Sequence, residues 1–121
     1  MFEIKDFESY QKLLDEKQTF LLYGKQVNCS VCMADFPKVE RLVQQYDFPA
    51  YFVDLENVPM LKGQLSLFTA PVVILFHSGK EFHRQARIID FKQLTQQLER
   101  LSTVRDLKVV AKEMNTALKN K

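Results

Sequence analysis

Two cysteines separated by two residues are the side chains in this chain best suited to chemistry. Cys29 and Cys32 are its only cysteines. A C-x-x-C pair in a short protein is typical of a dithiol that cycles with a disulfide, of half a zinc site, or of two unreactive thiols. His77 and His83, the only histidines, lie about forty residues or more beyond Cys32, whereas a compact zinc finger keeps its ligands close in the chain. The pattern therefore favours a redox dithiol, with zinc and an unreactive pair as alternatives.

The flanks of the cysteine pair predict that it lies where a strand turns into a helix. The apolar run at residues 20–23 is typical of a buried strand. Beyond the cysteines, apolar residues recur at helical spacing: Val39, Leu42, Val43 and Tyr46. A helix N-terminus stabilises a thiolate through its unpaired N–H groups and its dipole. Because no lysine or arginine adjoins Cys29 and Asp35 follows one turn later, we expect modest stabilisation and a reductant rather than a strong oxidant.

Length and composition indicate one globular domain. The chain has 121 residues, of which 46% are hydrophobic and 26% charged, with three glycines and four prolines. These proportions are ordinary for a folded domain and untypical of low-complexity sequence. The first residues lack the basic start and apolar run of a secretory signal, and no apolar stretch approaches membrane-spanning length. We therefore expect a cytoplasmic protein, in which free thiols are more often catalytic or metal-binding than structural.

The basic charge of the chain is concentrated near its C-terminus. The formal net charge is +2, but residues 103–121 hold five basic side chains against two acidic ones. This distribution gives no reason to expect nucleic acid or membrane partners at the cysteines. A final helix is predicted from Thr103, with apolar residues along one side: Val104, Leu107, Val110, Ala111, Met114 and Leu118. That side could pack on the domain, pair two chains as a weak homodimer, or dock a partner.

The order of predicted elements indicates an α/β protein with a central mixed β-sheet covered by helices on both faces. The predicted strands cover residues 1–5, 19–23, 50–53 and 72–76, followed by a turn at Ser78 and Gly79 and a half-exposed edge strand to Ile88. The predicted helices are one capped by Asp6 and ending near Lys17, one from the cysteines to about Tyr46, a short one opened by Asn57 and Pro59, and one capped by Asp90.

With this order in place, the sequence resembles the thioredoxin family. The resemblance rests on Cys29 and Cys32 at the start of a helix, on Pro37 five residues later, and on Pro71 after Ala70 at the start of a strand. Two further motifs are similar to family counterparts: Asn57-Val58-Pro59 and Ser78-Gly79-Lys80. The resemblance covers about residues 1–101, and it leaves residues 102–121 as a C-terminal helical extension.

The resemblance implies a thioredoxin fold with an extra C-terminal helix and a thiol–disulfide oxidoreductase that reduces protein disulfides. It implies that Cys29 attacks the substrate disulfide and that Cys32 resolves the mixed disulfide. It also implies a substrate-binding surface around a cis peptide bond and the cysteine loop, formed by Ala70, Pro71, Asn28, Ser30 and Val31. No metal or cofactor beyond the Cys29–Cys32 disulfide is expected, and thioredoxin reductase or a low-molecular-weight thiol would supply electrons. The alternative is a non-enzymatic thioredoxin-like binding module with incidental redox activity.

Four positions depart from the family pattern. Ser30 and Val31 stand where thioredoxins usually carry Gly-Pro, and Asn28 stands where they carry tryptophan, a residue absent from this chain. Tyr23 occupies the position of the buried acid that accepts a proton from the second thiol. We interpret Tyr23 as a core residue, with a hydroxyl contact to the site as the alternative. These departures bear on rate, redox potential and partner range more than on fold.

Overall fold

A five-stranded mixed sheet forms the centre of the protein in a computed structural model, which describes residues 1–103. Its strands in spatial order are β1 (Phe2–Glu3), β3 (Ala50–Asp54), β2 (Phe20–Lys25), β4 (Val72–His77) and β5 (Lys80–Ala86). β2 pairs with β3 in parallel and with β4 antiparallel, and β4 and β5 form the final hairpin. The predicted mixed sheet, including the short first edge strand, is confirmed.

Within residues 1–103, four helices flank the sheet, and side chains fix where two of them begin. They are α1 (Phe7–Asp15), α2 (Ser30–Gln45), α3 (Pro59–Gln64) and α4 (residues 91–103). The Asp6 carboxylate accepts the Ser9 N–H at 2.7 Å, and the Asp90 carboxylate accepts the Gln93 N–H at 3.0 Å. Each bond satisfies a backbone donor that has no partner within the helix. Both predicted caps are confirmed.

The C-terminal predictions fall largely beyond the described part of the chain. α4 continues through residue 103, so it crosses the predicted domain boundary between residues 101 and 102. The final helix predicted from Thr103, and the homodimer or partner contact assigned to it, lie outside the described residues. Within residues 1–103, no helix is both long enough and apolar enough to cross a lipid bilayer.

The alternation of β2 divides the core into two layers. Phe20 and Leu22 pack in the layer that also contains Tyr10 of α1 and Leu61 of α3. Leu21 and Tyr23 pack in the opposite layer, which contains residues of α2 and α4: Val39, Val43, Leu94, Leu98 and Leu101. Since successive side chains of a strand point to opposite faces, Lys25 lies on the same face as Tyr23. The end of β2 thus presents Lys25 toward α2.

Several element boundaries differ from the sequence-based predictions, and β1 covers only Phe2–Glu3 of the predicted residues 1–5. α1 ends at Asp15 rather than near Lys17, which has a left-handed φ of 53°. β2 continues to Lys25 because β3 pairs with it as far as Lys25, while β4 pairs with it as far as Gly24. A Cβ on Gly24 would lie 2.6 Å from Val72 Cγ1 on the neighbouring strand β4. Any residue other than glycine would therefore require the Val72 side chain to move. β5 ends at Ala86, short of Ile88.

Arg84 has a structural role that its place in a half-exposed strand did not predict. Its guanidinium pairs with Glu81 at 2.6 Å and donates to the Leu65 carbonyl oxygen at 2.7 Å. The second bond ties β5 to the segment that follows α3. Arg84 therefore provides a hydrogen-bond donor for a carbonyl oxygen at the C-terminal end of α3.

Candidate redox site

Cys29 lies at the N-terminal end of α2, where its sulfur meets the helix backbone. It is the residue that caps the helix, with an extended backbone, and its Sγ accepts the Cys32 N–H at 3.1 Å. A backbone donor aimed at this sulfur, added to the helix dipole, stabilises negative charge on it. The predicted position of the pair, between a strand and a helix, is confirmed.

The two cysteines are bonded to each other, and they differ in access to solvent. Their sulfur atoms form a disulfide across a Cα–Cα distance of 5.2 Å. Cys29 is half-buried, whereas Cys32 is fully buried. Only Cys29 is therefore placed to meet the disulfide of another molecule.

Three of the residues that the resemblance assigns to substrate binding form an exposed rim around the cysteines. Asn28, Ser30 and Val31 are all exposed. Asn28 has a φ of 61°, in the left-handed region that asparagine adopts more readily than most residues. The backbone turn before Cys29 thus accounts for an asparagine at this position.

The Ala70–Pro71 segment lies at the same edge of the sheet as the cysteine loop. β4 begins directly after Pro71, and its first residue, Val72, pairs with Gly24 near the end of β2. The Ala70-Pro71 bond is cis, as the resemblance implied. Ala70 is half-buried and Pro71 buried, so Ala70 is the more accessible of the two.

Two exposed apolar side chains flank this segment and were not identified from the sequence. Phe68 is 84% exposed and Ile88 is 85% exposed. The Arg87 N–H donates to the Pro71 carbonyl oxygen at 2.7 Å, which brings the residues after β5 to the same sheet edge. The available signals were an apolar residue shortly before Ala70 and Pro71 and another at the end of the predicted edge strand, and single exposed apolar residues are common on protein surfaces.

Tyr23 is both a core residue and a contact of the cysteine site, the two alternatives predicted from the sequence. Its side chain is fully buried, and its hydroxyl donates to the Cys32 carbonyl oxygen at 2.7 Å. Burial, and to a lesser extent the negative charge of Asp35, raises the pKa of Tyr23 above its ordinary value. The hydroxyl therefore remains protonated near neutral pH and acts as a donor that holds the first turn of α2, not as a base.

An ion pair and a small cavity lie beside Cys32 on the α2 face of the sheet. The cavity has a volume of about 260 Å³ and is lined by Lys25, Cys32, Met33, Phe36 and Phe52. Lys25 Nζ lies 3.2 Å from Asp54 Oδ1 and 5.4 Å from the centre of the Phe52 ring. The sequence did not identify Lys25 because it stands two residues beyond the predicted end of its strand.

The arrangement around the histidines does not resemble a metal site. Within residues 1–103, no group of three or more histidine, cysteine, aspartate or glutamate side chains is placed to hold a metal ion. His77 Nδ1 lies 3.4 Å from Thr19 Oγ1, and His83 Nε2 lies 3.0 Å from Gln85 Nε2. Burial lowers the pKa of His83. Both rings therefore lie against polar side chains.

The chain is similar to a thioredoxin-like protein and to thioredoxins of known structure. No protein-family model matches the chain. It is 31% identical over 94 residues to thioredoxin-like protein YdfQ of Bacillus subtilis strain 168, an alignment covering 77% of this chain and 84% of that protein. Among solved structures, thioredoxin 1 of Thermosipho africanus is 28% identical with a TM-score of 0.66, covering 72% of this chain and 98% of that one.

The fold is shared with more distant structures. The thioredoxin of Fasciola hepatica superposes with a TM-score of 0.75 at 19% identity, covering 84% of this chain and 99% of that one. A thioredoxin pre-protein of Schistosoma mansoni gives a TM-score of 0.74 at 15% identity, covering 83% and 96%. At such identities the likeness shows the arrangement of strands and helices alone.

Proposed function

Because this chain belongs to the thioredoxin family, we propose that it is a thiol–disulfide oxidoreductase that reduces protein disulfides through Cys29 and Cys32. The observation that supports the proposal most strongly is the disulfide between a half-exposed cysteine at a helix N-terminus and a buried cysteine one turn later. This difference in access supports a different role for each sulfur, with Cys29 attacking and Cys32 resolving. It also matches the family relationship.

The reaction consists of two exchange steps. In the reduced protein the Cys29 thiolate attacks one sulfur of the substrate disulfide, and the other substrate sulfur leaves with the electron pair. The Cys32 thiolate then attacks Cys29 Sγ, and the first substrate sulfur leaves in turn. Two electrons pass to the substrate, and the Cys29–Cys32 disulfide remains. The Cys32 N–H that reaches Cys29 Sγ stabilises the attacking thiolate.

The substrate would lie across the exposed edge formed by Asn28, Ser30, Val31 and the Ala70–Pro71 segment. Ala70 is accessible enough to offer its backbone to an extended substrate, and the buried Pro71 fixes the position of that backbone. The exposed Phe68 and Ile88 would extend the same surface with apolar contacts. The same edge would also suit a binding module without redox turnover, which remains the second candidate.

The remaining assignments follow from the proposed chemistry. Electrons would come from thioredoxin reductase or a low-molecular-weight thiol, with no cofactor beyond the disulfide itself. A cytoplasmic location would keep the pair reduced between turnovers. Residues 1–101 would form the thioredoxin-like domain. Residues 102–121 would form a helical extension on a protein that is a monomer or a weak homodimer, without nucleic acid or membrane partners.

A turnover assay separates the oxidoreductase from the binding module. With a disulfide-bonded protein substrate and excess small dithiol, wild-type protein is expected to accelerate reduction well above the dithiol alone. The double variant Cys29→Ser/Cys32→Ser should give only the dithiol rate, because it keeps the surface and lacks both sulfurs. Equal rates for the wild type and the double variant, with substrate still bound by both, would establish the binding module instead. Replacing the dithiol by reductase and NADPH, or by a low-molecular-weight thiol, then identifies the electron donor.

A further inference from the structure

The burial of Cys32 creates a chemical requirement. Its sulfur must ionise before it can attack the mixed disulfide. Cys32 is fully buried, and removal from water disfavours the charged form of a thiol. The Tyr23 hydroxyl donates to the Cys32 carbonyl oxygen rather than to the sulfur. Another group must therefore offset the cost of ionisation.

More negative than positive side chains lie near Cys32. From α2, Asp35 is buried and negative, and after β3 the Glu56 carboxylate lies 3.3 Å from the Val27 N–H. From β3, Asp54 adds a further negative charge next to Lys25 of β2. Among the described residues that line the cavity beside Cys32, Lys25 is the only cation. The carboxylates oppose a second thiolate, and Lys25 favours it.

The sheet holds Lys25 in place for this role. Lys25 and Asp54 are direct partners in the pairing of β2 with β3, so their side chains leave the sheet on the same face. The ion pair and the Phe52 ring hold the ammonium group of Lys25, which lines the cavity beside Cys32. Because the two side chains are 31% and 21% exposed, solvent screens the charge only in part.

We propose that Lys25, positioned by Asp54, stabilises the Cys32 thiolate across this cavity and thereby speeds resolution of the mixed disulfide. This inference rests on the function proposed above. The Cys32 thiol releases its proton to solvent through the cavity mouth, and its electron pair forms the bond to Cys29 Sγ. The bond from Cys29 to the substrate sulfur breaks, and that sulfur leaves with its electron pair and takes a proton from water. No further reductant is needed.

A titration of the Cys32 thiol tests the charge effect without requiring activity. In a Cys29→Ala background, thiolate absorbance in the ultraviolet is followed against pH, and the signal of a Cys29→Ala/Cys32→Ala protein is subtracted. Lys25→Met keeps most of the apolar stem and should shift the half-ionisation of Cys32 upward, giving roughly threefold to tenfold less thiolate near neutral pH. Lys25→Arg should restore most of the effect, since it keeps the charge.

Lys38→Met is the matched control. Lys38 lies on the same helix as Cys32, but its ammonium sits 5.7 Å from the centre of the Phe91 ring and does not line the Cys32 cavity. It should leave the titration unchanged. An unshifted titration in a folded Lys25→Met protein, or an equal shift in Lys38→Met, would overturn the role of Lys25.

A second readout separates this inference from the proposed function. In otherwise wild-type protein, a chromogenic aromatic thiol is attached to Cys29 as a mixed disulfide, and its release is timed across pH. If the wild type releases no thiol, the proposed function fails. If the wild type releases it and Lys25→Met shows the same pH profile, only the role of Lys25 fails. The expected result is release that is threefold to tenfold slower near neutral pH and recovers as the pH rises.

Discussion

Replacement of Cys29 by serine is expected to lower the rate of protein disulfide reduction by at least about a thousandfold, to the level of the uncatalysed exchange. A serine hydroxyl is essentially un-ionised near neutral pH and is a poor nucleophile toward sulfur. Cys32 offers no substitute, because it is fully buried in the first turn of α2. Initial rates with a disulfide-bonded protein substrate, at equal protein concentrations, provide the measurement.

The control for this prediction is the stability of the variant. The disulfide closes a loop of very few residues and so contributes little chain entropy to stability. The Cys29→Ser protein should therefore unfold close to the midpoint of the reduced wild type. Activity within tenfold of the wild type, in a protein of that stability, would show that Cys29 is not the attacking sulfur.

Replacement of Tyr23 by aspartate is expected to lower the free energy of unfolding by about 3–5 kcal/mol. Tyr23 is fully buried and packs edge-on against Phe36, with ring centres 5.7 Å apart. Aspartate would leave a cavity in place of the ring and would bring a second carboxylate near Asp35. The loss of the hydroxyl would also remove the bond to the Cys32 carbonyl oxygen. Denaturant unfolding of the oxidised protein near neutral pH measures the effect.

Tyr23→Phe separates the hydroxyl from the ring. It keeps the packing and loses only the bond to the Cys32 carbonyl oxygen, so it should cost about 1 kcal/mol. An aspartate variant as stable as the phenylalanine variant would show that the space beneath α2 accepts an acid. Neither the ring nor the hydroxyl of Tyr23 would then be needed for stability at this position.

Local signals in the sequence were sufficient to locate the cysteine pair. The apolar run before Cys29 and the helical spacing after it are short-range patterns, and they correctly indicated a strand followed by a helix. The caps at Asp6 and Asp90 are equally local, since each carboxylate accepts an N–H three residues ahead. Features set by neighbours in the chain were therefore predictable.

Features set by contacts between distant segments were not predictable. The extension of β2 to Lys25 depends on pairing with β3, about thirty residues away, and only that register places Lys25 opposite Asp54. The bond from Arg84 to the Leu65 carbonyl oxygen depends on how the final hairpin meets the end of α3. The exposed side chains of Phe68 and Ile88 likewise come to lie near the Ala70–Pro71 segment only when the strands pair in the folded protein.

The most direct test of the proposed chemistry is the capture of a substrate on Cys29. Reduced Cys32→Ser protein is mixed with a peptide that contains a disulfide, and the products are identified by mass spectrometry under non-reducing conditions. We predict a stable mixed disulfide between Cys29 and the peptide, since no second thiol remains to resolve it, and no comparable adduct with the Cys29→Ser protein. Absence of the adduct on Cys32→Ser, or equal adducts on both variants, would contradict the assignment of Cys29 as the attacking sulfur.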